Sequence, residues 1–269
     1  MAKTAVLTLR ARADEHRHPN RVFSDPTAAQ WSEALDWPED LSAWYGPSRQ
    51  SQLAFRADDI DRILARFAEP LPSITVVELG CGLSTRRRRV PLPNVEAWFD
   101  LDLPEIIEVR RRFGADADGS QQIGTSVLEE GWLQLLPREG SSLVFIAEGL
   151  IHYLTRADVD ALLAKLRARF SGAAMILDVV GANEHADLLR CTSAIGAPVQ
   201  WKLEGDFRDV LSNLGLGVVP DFEPERLAQN AIERYWPRFD AKLRAGIYFA
   251  MSAPTLWAAR SGNVVGRLS

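Results

Sequence analysis

Cysteine is nearly missing from this chain: Cys81 and Cys191 are the two among 269 residues. That excludes a disulfide framework and a cysteine-rich zinc site, and no metal is expected. Basic residues are not in excess either. Thirty-one lysines and arginines against 36 acids leave a formal charge of −5, which gives no footprint for nucleic acid or an anionic membrane. No apolar run could span a bilayer, and the opening MAKTAVLTLRARADEHRHP lacks the apolar core of a signal peptide. A cytoplasmic protein is the expectation. There is no G-K-[ST] of a P-loop, no internal repeat and no low-complexity tract.

What is present reads as an α/β protein. Hydrophobic residues at 46% and charged residues at 25% are ordinary globular values, and the length suits one long domain or a domain with an attached cap. Residues 1–50 show no clean period. In ADDIDRILARF, Ile60, Ile63, Leu64 and Phe67 recur at helical spacing and give one apolar face. EPLPS ends that helix, and Glu69–Ser73 is the one convincing boundary. The runs ITVVELG, VEAWFDLD, SLVFIAEG and AAMILDVVG then read as strands, most of them continuously apolar as in a parallel sheet. Between them PEIIEVRRRF is a helix opened by Pro104, and Thr155 with Asp158 caps a helix that buries Val159, Leu162, Leu163, Leu166 and Phe170. This alternation predicts a mostly parallel sheet with helices on both faces. Beyond Gly181 the pattern loosens into a helix and loop, a helix and strand, a helical stretch broken at Pro237, and TLWAARS as a last strand.

The chemistry is expected at VVELGCGLST, where Gly80 and Gly82 allow a tight turn that a ligand can approach closely. A dinucleotide fingerprint needs a third glycine, but Thr85 stands there and four arginines follow. Glu78, two residues before the turn, suits a cationic ligand and would be poor beside a pyrophosphate. S-adenosylmethionine, a sulfonium without phosphate, fits these residues better. Asp102, twenty residues after Gly82, ends the second strand where a carboxylate can accept both ribose hydroxyls. Asp100 points the same way and is its rival.

VVELGCGLSTR, WFDLDLPEIIEVRR, SVLEEGW and AEGLIHYLTRADVDALLAKL, in this order, resemble the leucine carboxyl methyltransferase family and its bacterial polyketide O-methyltransferase branch. RADEHRHPNRVFSDPTA and AFRADDID are similar to that family's opening helices, so the likeness covers about residues 8–180. The resemblance implies a Rossmann-like class I methyltransferase over residues 71–269, an N-terminal helical lid over 1–70 and a lid or substrate insertion near 181–205. It implies that Arg56 clamps the methionine carboxylate and that Gly80 and Gly82 contact the methionine portion. Asp102 would hold the ribose, Ser126, Val127 and Leu128 would line the adenine, and Glu148 and Gly149 would lie beside the methionine end. Where relatives carry alanine and aspartate, this chain has Cys81 and Ser84, which puts any contact of that aspartate in doubt.

The acceptor is expected to be a small molecule or small peptide of secondary metabolism, methylated on oxygen. A carboxylate arrives ionised and needs orienting cations, whereas a phenol or alcohol needs a general base. His152 is expected to touch the acceptor, with Tyr153 beside it. Arg21 and Arg86 would orient an anion. Because no acid–histidine pair is evident in the sequence, a carboxylate is slightly favoured over a hydroxyl. The rest of Arg86–Arg89 reads as a solvated face, and Cys81 as a small buried thiol. A methyltransferase-like binding module without activity, motivated by Ser84, and a dinucleotide oxidoreductase are the alternatives. The oligomeric state cannot be read.

Overall fold

The computed structural model describes residues 3–43, 45–137, 142–239, 244 and 262–269. The chain forms two compact units, residues 1–150 and 151–269.

Three helices open the first unit: α1 (Lys3–Arg17), α2 (Pro26–Glu33) and α3 (Pro47–Ala68). α2 starts because Asp25 accepts the Ala28 N–H at 2.9 Å and Pro26 occupies the first turn. α3 buries the expected Ile60, Ile63, Leu64 and Phe67 and begins as early as Pro47. Parallel strands follow: β1 (Ile74–Leu79), β2 (Val95–Asp102), β3 (Gln121–Gly124) and β4 (Ser142–Ala147), in the order β3-β2-β1-β4. Every residue of β1 is buried, as in a strand covered on both faces. The four-residue α4 (Arg86–Arg89) follows β1, and α5 (Pro104–Arg112) packs on β2 and β3.

Register sets where the chemistry can gather. Leu79 lies beside Leu101, Asp102 beside Gly124 and Glu78 beside Ile146. The residues that follow these parallel strands therefore emerge at one end of the sheet, where open α/β sheets bind ligands. The expected boundary near residue 70 does not separate the compact units. Ala5, Leu9, Ala28 and Trp31 of the opening helices share a core with Leu83, Ile106 and Ala115, and Trp31 stacks on Phe113 at 5.3 Å. That shared apolar burial ties α1 and α2 to the sheet-bearing part of their unit.

The second unit contains α6 (Arg156–Arg169), β5 (Ala174–Val179), α7 (Ala182–Ala194), α8 (Val210–Asn213), β6 (Gly217–Val218), α9 (Pro224–Tyr235) and β7 (Gly262–Arg267). β7 pairs antiparallel with both β5 and β6. The capping box before α6 is present, Thr155 accepting the Asp158 N–H at 3.1 Å and Asp158 accepting the Thr155 N–H at 3.3 Å. α9 ends at Tyr235, ahead of Pro237, as the proline requires. The expected strand TLWAARS lies outside the described residues, and the observed β7 begins just after it. The α/β class is observed. Among the described residues no helix is long and apolar enough to cross a membrane.

Candidate functional site

The glycine turn is built as its residues demand. Gly80 has φ +63° and Gly82 φ +52°, values that side-chain-bearing residues rarely adopt. A Cβ on Gly80 would also fall 2.8 Å from Leu150 Cδ1. The turn is stitched to the next strand: Cys81 N–H donates to the Leu101 carbonyl at 3.0 Å, and Gly82 N–H donates to Asp102 Oδ2 at 2.7 Å. Leu103 N–H donates to Asp102 Oδ1 at 2.7 Å. A carboxylate offers about four lone-pair sites, so Asp102 keeps acceptor capacity after both bonds. Burial raises its carboxyl above the usual range, against the pull of those two N–H groups. Asp100 is different. It takes Arg110 at 2.5 Å, Gln122 at 2.7 Å and the Trp98 indole N–H at 3.1 Å, so its oxygens are committed to the fold.

The arginine run following the turn is largely buried, contrary to the solvated face expected. Arg86 is fully buried, donating from Nε to Asp61 at 2.7 Å, from Nη1 to Glu78 and from Nη2 to Glu148 at 2.5 Å. Arg89 joins Asp61 at 2.5 Å and Asp25 at 3.2 Å, and Thr85 donates to Asp25 at 2.5 Å. From α1, Arg12 donates to the Leu83 carbonyl at 2.6 Å and pairs with Asp25 at 3.4 Å. Burial and Arg89 pull the Arg12 guanidinium down to about 10. Arg88, by contrast, is exposed and pairs with Asp118 at 3.2 Å. A run of like charge can be buried here because four facing carboxylates neutralise it.

This network corrects two expectations. Arg86 gives all three guanidinium nitrogens to carboxylates of its own unit and is not left to orient an acceptor. Glu78, read as facing a cationic ligand, pairs with Arg86, and burial pushes its carboxyl up despite that partner. Arg56 donates from Nε to Glu148 at 3.1 Å, and its Nη2 lies 3.1 Å from where a Cβ on Gly149 would be. Ser84 accepts the Arg86 N–H at 3.2 Å. An aspartate oxygen could make the same bond, so the departure at 84 costs the turn nothing visible.

Beyond β3, Ser126 accepts the Leu128 N–H at 3.2 Å and Val127 is buried. Leu103 is 44% exposed and Leu128 38%, leaving apolar surface on the segments that follow β2 and β3. A glycine cradle that a Cβ would fill, a carboxylate with spare lone pairs and accessible apolar side chains fit S-adenosylmethionine. Cys81 is a buried thiol, pushed well up by burial. Arg21 is exposed. Among the described residues no group of three or more His, Cys, Asp or Glu is placed to hold a metal.

The second unit carries its own polar pair. His152 is 2% exposed, and its Nε2 lies 3.0 Å from Asp178 Oδ2 on β5. The sequence reading found no acid–histidine pair, and the structure supplies one. Gln200 and Trp201 N–H groups both donate to the His152 carbonyl, at 2.6 and 3.1 Å, so residues 200 and 201 fasten this segment. The Tyr153 carbonyl accepts from Gln200 Nε2 at 2.8 Å. Asp178 was missed although one signal marked it: a lone acid inside the apolar run AMILDVV needs a buried partner.

A profile of the leucine carboxyl methyltransferase family matches residues 5–167, more than half of the chain. The tetracenomycin polyketide synthesis O-methyltransferase TcmP of Streptomyces glaucescens is 34% identical over 198 residues, covering 71% of this chain and 72% of that protein. The S-adenosyl-L-methionine-dependent methyltransferase dpfgK of Gibberella zeae is 29% identical over 182 residues, 62% of this chain and 61% of its own. A crystal structure from Thermobifida fusca YX, described as a candidate methyltransferase, superimposes with TM-score 0.51 at 13% identity over 79% of this chain and 82% of its own.

Proposed function

We propose, from the premise that this chain belongs to the leucine carboxyl methyltransferase family, that it methylates an oxygen of a small molecule or small peptide of secondary metabolism. It is an S-adenosylmethionine-dependent methyltransferase of Rossmann-like α/β fold. The acceptor and the residue roles are the proposal. One observation carries it: a left-handed glycine turn whose Gly82 N–H is bonded to Asp102, with acceptor capacity left on that carboxylate.

When bound, S-adenosylmethionine supplies the methyl group on a sulfonium sulfur. The protein's work is to place it, since in-line displacement gains most from positioning. In this reading Gly80, Gly82, Glu148 and Gly149 surround the methionine portion, and Arg56 clamps its carboxylate. Asp102 accepts the ribose hydroxyls, and Ser126, Val127 and Leu128 line the adenine. His152 and Tyr153 serve the acceptor, with Arg21 on the N-terminal segment, residues 1–70, acting as a lid. A cytoplasmic location accompanies such a role.

Two premises behind the slight preference for a carboxylate acceptor have changed. Arg86 is engaged by three carboxylates, and His152 has an acid beside it. Arg21 alone still favours an anion, so a hydroxyl now gains ground. Calorimetry with S-adenosylmethionine tests the cofactor reading, and a chain that gives no binding heat defeats it. Treating a methylated product with mild base tests the acceptor: a hydrolysable methyl is an ester, a stable one an ether.

A further inference from the structure

His152 leaves one nitrogen unexplained. Its Nε2 meets Asp178, but Nδ1 is buried with no hydrogen-bond partner among the described residues. Such orphans are rare in native structures and call for a reason. An ionised aspartate can only accept, so the proton of a neutral His152 belongs on Nε2. Nδ1 then presents a lone pair. A carboxylate acceptor has no proton to give that lone pair, whereas a hydroxyl acceptor has one. The segment is also fixed: its backbone is held by Gln200 and Trp201, and Asp178 stands on a fully buried strand.

We propose that Asp178 is a positioning residue that holds His152 with Nδ1 bare, and that Nδ1 takes the proton of a phenolic or enolic acceptor. The proposal rests on the methyltransferase reading above. In the step, the acceptor O–H bond breaks and its proton passes to Nδ1. The oxygen pair forms the new O–CH3 bond, and the electron pair of the broken C–S bond stays on sulfur. The positive charge moves from sulfonium to imidazolium, where Asp178 stabilises it before the proton is lost to water. Among the described residues, the ionisable groups set against His152 are Asp178 on β5 and His185 on α7, whose imidazole also feels the charge of Lys202. Burial, Lys202 and His152 together hold His185 below the usual histidine range. Its Nε2 is likewise buried without a hydrogen-bond partner among the described residues.

The test uses the full chain, with naphthol and naphthoic acid as matched phenol and carboxylate probes. Ring-nitrogen NMR of histidine-labelled protein, with His152 assigned from H152Q, should show Nε2 protonated and Nδ1 bare. In D178N that tautomer preference should weaken. Naphthol should give a base-stable ether at a rate that climbs with pH to a plateau. The climb should vanish in H152Q, with kcat down roughly 10²- to 10⁴-fold, the usual contribution of a positioned base. D178N should lower kcat with the S-adenosylmethionine Kd unchanged, which a merely structural role would not do. A proton on Nδ1 with Nε2 bare overturns the proposal. So does turnover of naphthoic acid alone to a hydrolysable ester at a flat pH profile, and in that case the methyltransferase reading still stands. Absence of binding heat with S-adenosylmethionine strikes the reading itself. If neither probe is methylated, the NMR result decides.

Discussion

Arg86 in the first unit and His152 in the second are both almost wholly buried, yet their partners differ in number. Each guanidinium nitrogen of Arg86 has its own carboxylate, from Asp61, Glu78 and Glu148. The imidazole of His152 has Asp178 on one nitrogen and, among the described residues, no partner on the other. A saturated buried ion cannot exchange partners without leaving a charge unpaired in a poor solvent, so it fixes structure. An unsaturated one can accept a new partner without giving up the old. A related contrast separates two aspartates on one strand: Asp100, 1% exposed, holds Arg110, Gln122 and Trp98, while the less buried Asp102 holds two N–H groups and retains more capacity.

The harshest way to break this comparison is Arg86→Met. It strands three carboxylates that Arg86 neutralised, and removing one partner of a buried ion pair costs about 3–5 kcal/mol. Denaturant unfolding should register that loss, with the cofactor site collapsing as a consequence. A variant as stable as the parent would mean the network is not the fixture described.

Gly80→Val attacks the turn directly. A non-glycine residue forced into the left-handed region costs about 1–3 kcal/mol, and its Cβ would fall 2.8 Å from Leu150 Cδ1. Stability should drop and S-adenosylmethionine binding should weaken, read by unfolding and calorimetry on the same preparation. Unchanged cofactor affinity would place the ligand elsewhere.

The two aspartates sharpen the contrast between filled and unfilled acceptors. Asp102→Ala should weaken S-adenosylmethionine by about 1.5–3 kcal/mol, near 10- to 100-fold, as ribose hydroxyls lose a charged partner. Asp100→Ala should instead lower stability, because Arg110 would be buried without its carboxylate. If the two variants exchange these effects, the ribose belongs to Asp100.

The strands β1, β4 and β5 were legible because each is an apolar run bounded by glycine, proline or charge, and β2 because Trp98, Phe99 and Leu101 stand among its acids. β3, in a segment that reads as a short connection, and β7 were not. GNVVGR has two glycines and only two apolar residues, and its place is secured by pairing with β5 and β6 rather than by its own pattern. The turn glycines, Asp102 and His152 could be named from spacing, since strand ends and turns leave local signals. The burial of Arg86 and Arg89 could not, because four successive arginines look solvated until Asp25, Asp61, Glu78 and Glu148 are brought around them. Asp178 lies 26 residues from His152. A contact at that range is set by how the strand and its neighbours fold, and one sequence carries no mark of it beyond an acid where an apolar residue is expected.

Asp25 offers the gentlest test, and one with a definite sign. Burial pushes its carboxyl up, but Arg89 and Arg12, with the Thr85 hydroxyl and the Ala28 N–H, more than offset this and hold it below the usual range. A carboxyl depressed in the folded state binds its proton less readily than in the unfolded chain. Its stabilisation is therefore present above the unfolded aspartate value, about pH 4, and is lost as pH falls through the lower folded value. In that window the unfolded state holds more protons, so stability rises with pH. Asp25→Asn keeps an oxygen for the Ala28 cap but removes the charge facing Arg12 and Arg89. It should cost about 1–2 kcal/mol at neutral pH, in the range of a hydrogen bond to a charged group. It should also flatten the acid limb of the stability curve below about pH 4. Unfolding midpoints of both proteins across that range decide the matter. If the acid limbs are parallel, Asp25 is not coupled to its arginines, and the network is looser at α1 and α2 than at Arg86.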